Sequence, residues 1–125
     1  MERYLALILL VLAIGCTKQA PVANQDSPSK VLLQTYDALN ISDSTTFLSL
    51  ITKVRREDYA EHPEFLKNSM ERWRHKHADV QILSETHDST TAQVQYRIKM
   101  TGAITGDTTR FQSVYLEDGK WKVGY

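Results

Sequence analysis

Three groups of residues in this chain combine a reactive type with a usable spacing: Glu85 with His87, His75 with His77, and the lone Cys16. Glu85 and His87 lie two apart in a stretch of alternating character, and residues two apart on a strand share a face. Turned inward, they would form the carboxylate–imidazole pair that general-base catalysis uses. The other face of that stretch carries Val80, Ile82, Ser84 and Thr86. It is the more apolar set and is expected inward, which leaves Glu85 and His87 in solvent and assigns no catalytic residue. His75 and His77 fall in what reads as the last turn of a helix, where residues two apart point about 200° from each other. With only Asp79 near as a third donor, no metal site is expected, nor any other cofactor. Arg72, Arg74, His75, Lys76 and His77 read together as a solvated helix end facing the negative end of the dipole, with phospholipid headgroups or an acidic partner as its other use.

Cys16 is the single cysteine, so an intramolecular disulfide and a cysteine-built metal site are excluded. The apolar run from Tyr4 to Ile14 follows Arg3 and is shorter than the roughly 20 residues that span a bilayer, so it reads as the core of a signal peptide. Leu12-Ala13-Ile14-Gly15-Cys16 resembles the signal of bacterial lipoproteins, in which small residues precede a cysteine that is acylated and becomes the first residue of the mature chain. The resemblance implies a signal peptide over residues 1–15, an acylated cysteine with a flexible tether over 16–27, and a folded domain over 28–125. It also implies a partner, the membrane, reached through acyl chains on Cys16, with palmitate-type lipid on the extracytoplasmic face of the cell envelope. Thr17 after the cysteine points to the outer membrane if the host is Gram-negative. Basic and acidic residues balance at 15 each, so no net field draws nucleic acid, and export removes that partner in any case.

Position in the domain depends on the elements. Ser27-Pro28 is a helix start, with Val31, Leu32, Tyr36 and Leu39 as the apolar stripe of a helix running to about Asn40. Ser42-Asp43 opens a second helix, with Phe47, Leu50, Ile51 and Val54 at helical spacing, to about Arg56. After a lapse from Glu57 to His62, Pro63 opens a third, carrying Phe65, Leu66, Met70 and Trp73 and ending near Ala78. From Asp79 the period is two, which predicts strands over Val80–Thr86, Thr90–Thr101, Thr108–Glu117 and Lys120–Tyr125. Ala92, Val94, Tyr96, Ile98 and Met100 alternate with polar residues and mark a half-buried central strand. Asp118-Gly119 is a tight hairpin turn. Phe111, Ser113 and Tyr115, then Trp121, Val123 and Tyr125, are expected to continue its buried face in an antiparallel meander.

Three helices packed on a curved four-stranded antiparallel sheet, closing with Glu117-Asp118-Gly119-Lys120-Trp121-Lys122-Val123, resemble the nuclear-transport-factor-2-like or cystatin-like α+β fold. Within it, the Ser-Pro helix bearing Tyr36-Asp37-Ala38-Leu39 is similar to that of small bacterial lipoproteins with a domain of unknown function. Their Asn-Gly-Asp turn is replaced here by Asn40-Ile41-Ser42-Asp43. The resemblance implies a cone between sheet and helices, in which enzymes of this fold place an acid or base. Tyr36, Trp73, Tyr96, Met100, Phe111 and Tyr115 are the candidate lining of a ligand pocket in that cone. Since none of the residues expected inward ionises near neutral pH, the expectation is a non-enzymatic envelope lipoprotein that binds a small apolar ligand or an envelope protein. An isomerase- or hydrolase-type enzyme is the alternative.

Overall fold

The computed structural model describes residues 27–102 and 105–124; Cys16 with its leader and tether, Ile104 and Tyr125 lie outside the described residues. Four helices, α1 (Pro28–Asn40), α2 (Ser44–Leu50), α3 (Lys53–Glu61) and α4 (Pro63–Trp73), precede four strands, β1 (Lys76–His87), β2 (Thr91–Gly102), β3 (Gly106–Glu117) and β4 (Lys120–Val123). The strands form one antiparallel sheet in sequence order, curled into a half-barrel. No helix among the described residues is long and apolar enough to cross a membrane.

Helix α1 starts where its sequence says it should, with Ser27 Oγ accepting from the Lys30 N–H at 3.2 Å and Pro28 in the first turn. Its stripe of Val31, Leu32, Tyr36 and Leu39 is buried against Val94, Tyr96, Ile98, Val114 and Val123 of the sheet. Both its ends are tied to β1. At the start, the Ser29 N–H and Oγ donate to Glu85 Oε1 at 2.8 and 2.6 Å. At the end, the Asn40 side-chain amide exchanges two 2.8 Å hydrogen bonds with the Ala78 backbone. The turn that follows puts Ser42 at φ 55°, a left-handed conformation that costs a residue with a Cβ about 1–2 kcal/mol. Asp43 then caps α2 through Thr46, and α1 and α2 stay packed together with Ser42, not a glycine, in the left-handed position.

Two of the expected helices end elsewhere. The one read from Ser42 to about Arg56 is two helices, because Ile51 leaves helical geometry to make a parallel bridge with Val123 and the Thr52 N–H donates to Val123 O at 3.0 Å. β4 would otherwise present an unpaired edge. Lys53 restarts the helix with its N–H on Glu117 Oε1 at 2.9 Å, and the helix runs through the supposed lapse to Glu61. Val54, expected on an apolar stripe, is 67% exposed. The helix read as ending near Ala78 ends at Trp73, and residues from Lys76 onward are strand, so of the cationic run only Arg72 sits in the last turn. The crossing is tight: a Cβ at Gly102, whose φ is 106°, would collide with the His75 carbonyl.

Sheet register brings the remaining corrections. On β2 the inward set is as read, with Ala92, Val94, Tyr96 and Ile98 buried and Met100 half-buried. β3 pairs Val114 with Ala92, Gln112 with Val94, Arg110 with Tyr96 and Thr108 with Ile98. Directly opposed residues share a face, so the even-numbered residues of β3 face inward. Phe111, Ser113 and Tyr115 point the other way; Phe111 is 62% and Tyr115 40% exposed. On β1 a bulge at Leu83 shifts the pairing between Ile82 and Ser84. Ala78, Val80 and Ile82 face inward before it, opposite Met100, Ile98 and Tyr96, whereas beyond it Glu85 opposes Val94 and His87 opposes Ala92. The extra residue reverses the parity, and Glu85 and His87 end up on the inner face in place of Ser84 and Thr86.

Candidate functional site

The inner face of the sheet carries polar chemistry at two places. The first is the corner where β1 leaves the bulge. Glu85 Oε1 accepts both hydrogen bonds from Ser29, while its Oε2 lies 3.7 Å from His87 Nε2. The His87 ring meets Trp121 edge to face at 5.8 Å, and its Nδ1 is 3.1 Å from the Asp88 carbonyl. Glu85 therefore sits between a hydroxyl and an imidazole. A nucleophilic serine needs the imidazole between itself and the carboxylate; here the serine proton is held by the carboxylate itself. The arrangement caps α1 from across the sheet, just as Glu117 caps α3.

The second place is a cavity of about 310 Å³ where α1, α2, α3 and α4 meet the Met100 end of the sheet. Tyr36 and Leu39 come from α1, Phe47 from α2, Tyr59 from α3, Ser69 and Trp73 from α4, and Lys76, Ile98, Met100 and Arg110 from the strands. The wall is aromatic and mutually braced. Tyr36 meets Trp73 edge to face at 6.0 Å, and Phe47 meets Tyr59 likewise at 6.0 Å. Beneath, the hydroxyls of Tyr36 and Tyr96 are 2.9 Å apart. Burial, and then the bond to Tyr36, push the Tyr96 phenol above its ordinary range, with Arg110 pulling the other way. Tyr96 stays protonated at any physiological pH and serves as a neutral hydrogen-bonding group. Lys76 Nζ lies 4.8 Å from the centre of the Trp73 ring, a cation–π contact. A larger hollow of about 610 Å³ adjoins between α3 and α4, sharing Tyr59 and Ser69 with the cavity.

Of the six residues expected to line a pocket, Tyr36, Trp73 and Met100 do so and Tyr96 supports it from below. Phe111 and Tyr115 lie on the outer face; the Tyr115 ring fills the space a Cβ at Gly124 would take. Arg110, Lys76 and Tyr59 were not singled out as lining. Arg110 follows from the strand alternation once β3 is in register with Tyr96, but a sequence pattern favours the parity that gathers aromatics. His77 is exposed and lies 3.3 Å from Asp79, and among the described residues no three histidine, cysteine, aspartate or glutamate side chains are grouped to hold a metal ion.

No family model matches this sequence, and no curated protein does. Two solved structures resemble the fold. One is the solution structure of a SEC-C motif containing protein from Rhodopseudomonas palustris, with a TM-score of 0.65 at 11% identity over 79% of this chain and 76% of that one. The other is a crystal structure from Campylobacter jejuni named as a nuclear-transport-factor-2-like transpeptidase, with a TM-score of 0.57 at 16% identity over 79% of this chain and 99% of that one. Likeness at such identities is one of fold alone, and the fold is nuclear-transport-factor-2-like.

Proposed function

We propose that the domain is a non-enzymatic binder of a small, largely apolar molecule held in the cavity between Tyr36, Trp73 and Met100, and that acyl chains on Cys16 hold it at the bacterial envelope. The observation that supports binding is the cavity itself. It is a half-open hollow of about 310 Å³ walled mainly by aromatic and aliphatic side chains, a volume at the small end of ligand sites. Titration of the full-length mature protein in lipid nanodiscs with hexanol, followed by NMR, tests it. Saturable shifts are expected at the Met100 methyl and the Trp73 indole N–H, with Trp121 unmoved. Met100 and Trp73 unresponsive to hexanol, hexanoate and hexylamine alike would overturn the reading.

The anchor has its own test. Cys16→Ser should abolish incorporation of radioactive fatty acid and release the protein from the membrane fraction or leave it uncleaved, since the acyl acceptor is gone. Equal label in both proteins would sink the lipoprotein proposal.

A hydrolase- or isomerase-type enzyme is the second reading, and the inward Glu85 and His87 favour it. What weighs against it is occupancy: Glu85 already accepts two hydrogen bonds from the first turn of α1.

A further inference from the structure

We infer that the cavity takes an organic anion, a small carboxylate with a single apolar tail, whose head is met by Arg110 and Lys76 while the tail lies between Trp73, Met100 and Tyr36. The inference rests on the binding reading above and adds the charge of the ligand. Ten side chains line the cavity; two of them are cations and none is an aspartate or glutamate. The chain as a whole carries equal numbers of both signs, so this imbalance is local to the cavity. Among the described residues neither Arg110 nor Lys76 has a carboxylate within ion-pair distance.

The contrast with Arg97 is instructive. Arg97 and Arg110 stand on adjacent strands but on opposite faces of the sheet. On the outer face, Arg97 is gripped by both oxygens of Asp107 at 2.8 and 2.5 Å, the bidentate geometry an arginine fork favours. On the inner face, Arg110 is exposed at the rim and, among the described residues, has the Tyr96 phenol as its neighbour of note, so that most of its five N–H donors are open to a ligand or to solvent. Lys76 is kept in place by the Trp73 ring, and that contact leaves its N–H donors available. An anion at the mouth would supply the acceptors that the protein withholds, and its tail would replace water against the aromatic wall. The cavity by itself is far too small for the two chains of a phospholipid, and a short single-tailed acid is what matches its volume.

A matched series decides the matter: hexanoate, hexanol and hexylamine share a tail and differ only in the head. Each is titrated into the full-length mature protein in lipid nanodiscs and read at the Met100 methyl and Trp73 indole. Hexanoate should bind about tenfold or more tighter than hexanol, as one or two charge-assisted hydrogen bonds would give, and hexylamine weakest. Arg110→Gln and Lys76→Gln should each reduce that preference while hexanol still binds, which also shows the cavity intact. Arg110→Lys should keep part of it, and Arg97→Gln should leave it unchanged. Equal binding of hexanoate and hexanol, tighter binding of hexylamine, or a preference that survives both glutamine variants would each overturn the inference and leave the binding reading standing. If no member of the series binds, both fall together.

Discussion

The two ends of the inner sheet face look equally suited to chemistry in a residue inventory and differ once their partners are counted. At the Glu85 end, a carboxylate, an imidazole and a hydroxyl lie together, but the carboxylate accepts from Ser29 twice and the imidazole packs on Trp121. At the Met100 end, a guanidinium and an ammonium face a cavity whose lining holds no carboxylate. The first set is tied into the fold, since the part-buried Glu85 carboxylate is taken up by the first turn of α1 and the exposed His87 ring rests on Trp121. The second set is left open. Reactive types in proximity are thus a weaker sign of function than cations brought to a hollow whose own lining supplies no opposite charge.

The two tryptophans, one at each end, offer the largest test of that contrast. Trp121→Ala should lower stability by about 2–4 kcal/mol, less than for a fully buried ring because Trp121 is only partly buried against the core. Trp73→Ala should cost less, about 1–2 kcal/mol, because one side of its ring faces the cavity and not packed side chains, yet it should abolish hexanol binding. Urea unfolding of both variants beside the NMR titration checks the pair. Equal losses of stability with binding intact in both would erase the distinction between the two ends.

A smaller effect is expected from Glu85→Ala, which strips α1 of its cap from the sheet and should cost about 1–2 kcal/mol. An unchanged urea midpoint would mean that the carboxylate is not held for the helix, and would bring the enzyme reading forward. Smallest is the effect of Asp88, which holds the β1–β2 turn. The N–H groups of Thr90 and then Thr91 keep its carboxyl below the ordinary value of 3.8. Because the folded pKa is depressed, its contribution is present above that value and is lost as pH falls through the folded pKa. Amide exchange at Thr90 and Thr91 should therefore quicken in acid in the wild type, while Asp88→Asn should show the loosened turn at every pH and little further change below pH 3.8. Identical acid profiles in the two proteins would remove Asp88 from the account.

Much of the frame was legible because it rests on local chemistry. Ser27-Pro28 starts a helix wherever it stands before a suitable stripe, and Asp118-Gly119 accepts the positive φ, 51° and 77° here, that a two-residue hairpin turn requires. The cavity was legible by halves. Tyr36, Trp73 and Met100 belong to elements whose buried face follows from their own periodicity. Arg110 belongs to a strand whose phase depends on its neighbour, and the aromatic pair Phe111 and Tyr115 drew the reading to the wrong parity.

By itself, then, the sequence determined the α+β order of helices before a meander, the buried face of α1 and of β2, and the closing hairpin, because each of these depends on residues within a turn or a strand of one another. Tertiary structure alone decided the break at Ile51, the reversal at Leu83 and the inward turn of Arg110. Each is settled by hydrogen-bond pairing with a distant segment: Val123 recruits Ile51 to its edge, β2 absorbs one residue fewer than β1 offers, and Tyr96 sets which β3 residues share its face. A period of two says that side chains alternate; which set is buried is a matter of phase, and phase in a sheet comes from the partner strand.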